Sequence, residues 1–262
     1  MRIGIVGLGL IGGSLARGIK AQGRHQVFGY DTQEDVRLRA RLVNAVDGEL
    51  TPELLPTLDM VILAVYPQGT VDWLKEHAAE LRRGTIVLDT CGVKRFVCNQ
   101  AAELCREHGL LFLGGHPMAG IERSGFEASM GNLFNQASMI LVPSEGTPIE
   151  ILETAKRFFL DLGFGAVKFA TAEEHDRIIA YTSQLAHILA SAYVQSPTAL
   201  EHSGFSAGSF RDMTRVATLQ EKMWTELFLD NQDDLLRELD NVIGNLNAFR
   251  KALAEKDADA LC

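Results

Sequence analysis

Short apolar runs alternate with helix-spaced apolar positions through the first two thirds of the chain. Arg2–Val6, His25–Tyr30, Met60–Val65, Thr85–Asp89, Leu110–Gly114, Met139–Val142 and Ala166–Phe169 read as strands. Between them, apolar residues recurring every three or four positions predict helices over Gly12–Gln22, Asp35–Leu42, Val71–Leu81, Arg95–Glu107 and Ile149–Leu162. Such alternation builds βαβ units, a parallel sheet and right-handed crossovers. After Ala170 the strand pattern stops. Thr171-Ala172-Glu173-Glu174 has the spacing of a capping box, in which Thr and Glu satisfy each other's unpaired backbone N–H groups. One long apolar helix is predicted from there to about Gln195, and further helices from Met213 to Ala260. The domain boundary is placed at 168, giving an α/β domain over 1–168 and an all-helical domain over 169–262. So many apolar positions in a helical segment of this size exceed what its own fold can cover, so packing against a second copy, a homodimer, is expected.

Composition narrows the partners. The chain has 262 residues, with 25 Lys+Arg against 34 Asp+Glu and a formal net charge of -9. That sign argues against nucleic acid, whose binding needs a positive surface to release counterions. No apolar run is long enough for a membrane span. The apolar stretch Ile3–Leu10 is interrupted by Gly4, Gly7 and Gly9 and reads as strand and turn rather than a secretory signal. Cys91, Cys98 and Cys105 recur every seven residues, as on one helix face, and Cys262 ends the chain. These are expected to be reduced thiols of a cytoplasmic protein rather than a zinc site, and no metal is expected.

The candidate chemistry starts at the first turn. The strand Ile3-Gly4-Ile5-Val6 runs into Gly7-Leu8-Gly9-Leu10-Ile11-Gly12 and a helix opens at once. Gly7 suits the tight turn, Gly9 lets backbone approach a pyrophosphate, and Gly12 lets helix and strand pack closely. The phosphates would rest on the helix N-terminus, where unbonded N–H groups and the dipole favour negative charge. Asp31 closes the second strand 19 residues after Gly12. A carboxylate there accepts from ribose hydroxyls and repels a 2′-phosphate, so a Rossmann-type doubly wound domain binding NAD is expected, with Arg37 and Arg39 on a solvated helix face. Two further segments stand at strand ends, where ligands bind in such sheets: Asp89-Thr90-Cys91-Gly92-Val93-Lys94 and Gly114-Gly115-His116-Pro117-Met118-Ala119-Gly120. His116, held between glycines and a proline, is expected on an exposed rigid turn, with a pKa near neutrality.

These segments, with His175-Asp176-Arg177, Ser183-Gln184-Leu185-Ala186-His187, Phe210-Arg211-Asp212-Met213-Thr214-Arg215 and Met223-Trp224, resemble the prephenate/arogenate dehydrogenase family from Met1 to about Arg250. The resemblance implies oxidative decarboxylation of prephenate, or of its amino analogue arogenate, on the route to tyrosine. It assigns His116 to the ring hydroxyl, as the group that takes its proton. Arg215 would bind the ring carboxylate through its fork of donors, with Arg211 as the alternative. His187 would meet the side-chain carboxylate, with Ser183 on the same helix face, and Glu122 would stand at the pocket mouth. Gly92 would lie beside the hydroxyl, and Val65 and Asp89 would complete the cofactor set.

The chain departs from the family at three places. Many relatives carry Ser at the Gly92 position, His where this chain has Gln184, and Pro where it has Ala186. The first two substitutions are expected to tune substrate choice. No ligand-sensing domain or fused chorismate mutase is expected after the last helix, so inhibition by tyrosine would be competitive. Two other readings stay open. A lysine-dependent acid dehydrogenase or imine reductase would want a Lys on the helix Thr171–Gln195, which has none. A non-catalytic NAD-binding sensor would have no need of His116, His187 and Arg215 together.

Overall fold

The structure, a computed structural model, describes residues 1–261; Cys262 lies outside them. The chain divides into two compact units, Met1–His175 and Asp176–Cys262. The division falls seven residues beyond the boundary read from the sequence, because the first turn of the helix after Ala170 belongs with the sheet.

The first unit runs β1 (Arg2–Val6), α1 (Leu10–Gln22), β2 (Gln26–Tyr30), α2 (Glu34–Leu42), β3 (Gly48–Glu49), β4 (Met60–Leu63), α3 (Pro67–His77), β5 (Ile86–Asp89), α4 (Arg95–Glu107), β6 (Leu111–Pro117), β7 (Ser138–Pro143), α5 (Ile149–Asp161) and β8 (Ala166–Phe169), and α6 (Ala172–Ile179) begins within it. One eight-stranded sheet is ordered β3-β2-β1-β4-β5-β6-β7-β8. Side chains alternate across it as the pleat demands. Ile3, Ile5, Met60, Ile62 and Leu88 pack on one face with Leu15, Ile19 and Phe159. Val61, Leu63 and Val87 pack on the other with Leu74, Val97 and Phe112. Strands buried on both faces explain the nearly unbroken apolar runs in the sequence, and each large side chain so covered contributes ~1.5–3 kcal/mol.

The order reverses between β1 and β4, and the crevice beyond their carboxyl ends is the expected ligand position. Pairing is parallel throughout except between β6 and β7. The connection between those two has no crossover helix, so the chain can return only antiparallel. It packs on α1 instead: Met130 N–H donates to Ser14 Oγ at 3.0 Å, and the Arg17 guanidinium lies 4.7 Å over the Phe126 ring.

Several elements differ from the sequence reading. β3 is too short to show a pattern. α3 starts at Pro67 rather than Val71, since proline at the first helical position needs no N–H partner and brings its φ preset. β6 runs on through His116 and Pro117, so His116 is not on a free turn: it is a half-buried strand residue facing Ile140 of β7. The three evenly spaced cysteines do not share a helix. Cys98 and Cys105 are on α4, whereas Cys91 lies on the turn before it, with its Sγ on the Val65 carbonyl.

In the second unit the predicted helix through Gln195 is interrupted. After α6 the residues Ala180–Gln184 form a π turn, followed by α7 (Leu185–Val194), α8 (Gly208–Thr214), α9 (Glu221–Asp230), α10 (Gln232–Glu255) and α11 (Ala258–Leu261). Gln184 is buried at that turn; its Nε2 donates to the Leu227 carbonyl at 2.9 Å and its Oε1 accepts from Asn231 Nδ2 at 2.8 Å. Asn231 also donates to the Asp176 carbonyl at 2.9 Å. Both ends of Gln184 are thus committed to holding helices together, and the expectation that it tunes substrate choice gives way to a structural role. Among the described residues no helix is long and apolar enough to cross a membrane.

Candidate active site

In the first unit two clusters form at the carboxyl edge of the sheet. The first is the glycine loop. Gly7 has φ +86°, and a Cβ on it would fall 2.4 Å from the Ala64 carbonyl oxygen. A Cβ on Gly12 would fall 1.9 Å from the Gly7 oxygen, whereas one on Gly9 meets nothing within 4 Å. Gly9 is the N-cap of α1 and offers no side-chain cap, so the first-turn N–H groups from Leu10, Ile11 and Gly12 face the open side of the loop. Leu8 plays a different part from its neighbours. Its side chain is fully buried, and its N–H donates to Asp31 Oδ2 at 2.9 Å, so it anchors the loop to β2. The other Asp31 oxygen accepts from Gln33 N–H at 3.0 Å. Arg37 is engaged within the protein: it donates to the Asp31 carbonyl at 2.7 Å and pairs with Glu49 at 2.8 Å. Arg39 pairs with Glu127. Val65 is half-buried beside Gly7.

The second cluster ties β5 to β6. Asp89 is fully buried; its Oδ1 accepts from Gly115 N–H at 3.0 Å, and its Oδ2 accepts from Cys91 N–H at 2.9 Å and pairs with the buried Lys94 ammonium. Asp89 therefore has no oxygen exposed to a cofactor, which corrects its expected role: it positions the Gly92 turn and the strand that carries His116. A Cβ on Gly115 would fall 2.5 Å from the Asp89 carbonyl oxygen. Only glycine allows the two strands this approach. His116 Nδ1 lies 2.8 Å from Nε2 of His175, the buried residue in the first turn of α6. Burial first, then His175 and the Lys94 charge, push the His116 pKa well below the ordinary 6.5. The imidazole is neutral at pH 7, more firmly than a near-neutral pKa would make it. Gly92 is half-buried on its turn, and Glu122 is exposed on the segment after β6.

In the second unit, Ser183 lies in the π turn and His187 in the first turn of α7, both half-buried. His187 Nδ1 is 2.8 Å from the Val216 carbonyl. A carbonyl only accepts, so Nδ1 carries the hydrogen and the neutral ring keeps a bare Nε2. The ring packs on Trp224 with centroids 3.8 Å apart. Burial lowers the His187 pKa, and the Arg215 charge adds to that. Arg215 and Arg211 are both exposed, the former on a short 3-10 turn following α8. Among the described residues no cluster of His, Cys, Asp and Glu is arranged to hold a metal. His175 and Lys94 went unassigned in the sequence. The one sequence signal near His175 is the Thr171-Ala172-Glu173-Glu174 spacing just ahead of it, which predicts a held helix start.

A family model described as the nucleotide-binding domain of prephenate dehydrogenase matches residues 15–168, and one described as its dimerization domain matches 171–262. The first match begins after the glycine loop, whose role rests on its own geometry. The cyclohexadienyl dehydrogenase of Zymomonas mobilis is 34% identical over 269 residues, spanning 99% of this chain and 90% of its own length. Among solved structures, the Aquifex aeolicus prephenate dehydrogenase in complex with hydroxyphenyl propionate and NAD+ aligns with a TM-score of 0.88 at 26% identity, over 100% of this chain and 93% of that one. The Synechocystis arogenate dehydrogenase aligns with a TM-score of 0.84 at 28% identity, over 100% and 95%.

Proposed function

Because the chain belongs to the prephenate dehydrogenase family, we propose that it oxidises and decarboxylates prephenate to 4-hydroxyphenylpyruvate with NAD+, as a cytoplasmic homodimer serving tyrosine synthesis. The observation that carries this reading is His116: a neutral, half-buried imidazole at the carboxyl end of β6, with one nitrogen bonded to His175.

The glycine loop fits NAD. Its open face at Gly9, the uncapped start of α1 and the carboxylate of Asp31 suit a pyrophosphate and a ribose diol. Arg37 and Arg39, both engaged with carboxylates, leave no ready partner for a 2′-phosphate. When bound, NAD+ supplies the acceptor for the hydride that leaves C4 of the ring. The protein's own part is proton transfer and binding. His116 takes the C4 hydroxyl proton, the carboxylate at C1 leaves as CO2, and the proton returns to the phenolate oxygen. Arg215, Glu122, Ser183 and His187 bind the substrate, Arg211 being the alternative to Arg215. Gly92 leaves the hydroxyl to His116 without the serine contact of many relatives. Removing the Arg215 fork, Arg215→Ala, should raise KM ~10- to 100-fold with a smaller change in kcat, since charged hydrogen bonds are worth about 1.5–3 kcal/mol; an unchanged KM would move the carboxylate contact to Arg211.

The dimer rests on α10, where Leu236, Ile243, Leu246, Phe249 and Leu253 are each 47–65% exposed along one helix, more apolar surface than a lone helix leaves in water. A light-scattering mass equal to one chain would end that part of the proposal.

One observation favours arogenate as a second reading. Neutral His187 has spent its N–H on Val216 and offers an acceptor, which suits the ammonium of an alanyl side chain. To receive a carboxylate it must first gain a proton, so KM for prephenate would improve as the pH falls. NADH absorbance with each substrate, and with NAD+ against NADP+, tests the whole assignment. Turnover of one or both supports it and their ratio selects the substrate; silence with both, alongside NAD binding, favours the sensor.

A further inference from the structure

His175 stands outside every role assigned so far, although its segment is among the most recognisable in the chain. It is 2% exposed. Its backbone N–H bonds the Thr171 carbonyl at 3.0 Å, while Thr171 Oγ1 accepts from Glu174 N–H at 3.1 Å, so the Thr171 side chain caps and holds this turn of α6. The ring meets His116 through a 2.8 Å contact between His175 Nε2 and His116 Nδ1, with centroids 5.0 Å apart.

A single proton lies in that contact, and its owner decides what His116 can do. If His175 Nε2 carries it, His116 Nδ1 accepts, its Nε2 is N–H, and the ring has no lone pair for a substrate hydroxyl. If His116 Nδ1 carries it, His116 Nε2 is bare and can act as the base. The other charged groups around His116 cannot take the Nδ1 hydrogen. Lys94 has donors only and is held by Asp89, whose oxygens accept from Gly115, Cys91 and Lys94 itself.

We propose that His175 is a positioning residue which accepts the Nδ1 hydrogen of His116 and so fixes the tautomer whose Nε2 can take the substrate's proton. The proposal deepens the reading of the site given above and rests on it for the reaction. When His116 gains a proton at Nε2, its Nδ1–H becomes a charge-assisted donor to His175, which stabilises the imidazolium as it forms. A neutral imidazole thus occupies the orienting place that a carboxylate fills in hydrolase triads.

The test is 15N NMR of histidine-labelled protein near pH 7.5, with the His116 signals identified by their loss in His116→Asn. His116 is expected to show a protonated Nδ1 and a bare Nε2. In His175→Phe it should shift toward Nε2–H, whereas His175→Gln, which keeps an acceptor, should retain the Nδ1–H form. Turnover should follow: His175→Phe loses kcat by ~10²- to 10⁴-fold with KM little changed, in line with the cost of a wrong tautomer, and His175→Gln stays within about tenfold of the parent. An Nε2–H His116 in the unmodified protein would overturn the proposal, whether or not either variant folds. So would an unchanged tautomer in folded His175→Phe. A protein that shows the expected tautomer but turns over neither cyclohexadienol would refute the reaction and leave the pairing standing.

Discussion

His116→Asn should lower kcat by ~10²- to 10⁴-fold while KM moves far less, because general-base catalysis acts on the developing transition state and adds little to ground-state binding. Asparagine can still hydrogen-bond the hydroxyl, but it cannot take a proton. The pH profile supplies an independent check. The His116 pKa is depressed well below 6.5 by burial, His175 and Lys94. The base stays unprotonated at pH 7 and at 6.5, so kcat should hold level there and decline only at distinctly lower pH. The same shift bears on stability with a definite sign. Below 6.5 the unfolded chain takes up a proton that the folded His116 refuses, so stability falls as the pH drops through that range. Steady-state rates from pH 5 to 8, with urea titrations at the same values, measure both. An acid limb at or above 6.5 would mean that the group titrating in catalysis is not this buried imidazole. Equal and trivial effects from His116→Asn and Arg215→Ala would mean that the site is elsewhere.

Lys94→Met should cost ~3–5 kcal/mol of folding stability, the usual penalty for stripping one partner from a buried ion pair. Asp89 and Lys94 are both fully buried and paired to each other, and methionine leaves the carboxylate charged, with the Gly115 and Cys91 N–H groups still donating to it but no positive charge opposite. The double variant Asp89→Asn/Lys94→Met should recover part of the loss, since no charge is then stranded. The recovery is incomplete because an amide offers one acceptor oxygen where the carboxylate offered two. Urea denaturation of the parent, the single variant and the double variant gives the coupling directly. Loss of the ammonium also removes a positive neighbour of His116, so its pKa should rise and the acid limb of kcat should move up. A single variant that is destabilised by less than about 1 kcal/mol would show that the pair is not what ties the Gly92 turn to β6.

The site was partly legible because some of its chemistry is carried by residue type at short spacing. Gly7 and Gly12 are dictated by close backbone contacts, Gly9 by its place in the loop between them, and Asp31 by its place at the end of a strand; each is legible along the chain. His116 was found for the same reason, yet its environment was not. Its strand register against β7 and its burial are products of packing, and they moved its expected pKa down. Asp89 shows the converse error. At a strand end it resembled a cofactor ligand, but the pairing of β5 with β6 turns it inward, onto Gly115. Gln184, expected from the family departure to tune substrate choice, instead bonds Leu227 and Asn231 from the π turn.

The sequence by itself determined the two-part plan of the chain: a doubly wound sheet with its glycine loop, then helices. Periodicity of two and of 3.6, and the steric demands of glycine and proline, act between near neighbours and are written in order along the chain. Only the tertiary structure decided which groups answer one another. The His116–His175 bond joins residues 59 positions apart, and the Asp89–Lys94 pair meets Gly115 across 26. Those distances close only once the strands are in register and the core has excluded water, because it is burial that makes a hydrogen bond or an ion pair strong enough to set a tautomer or hold a turn.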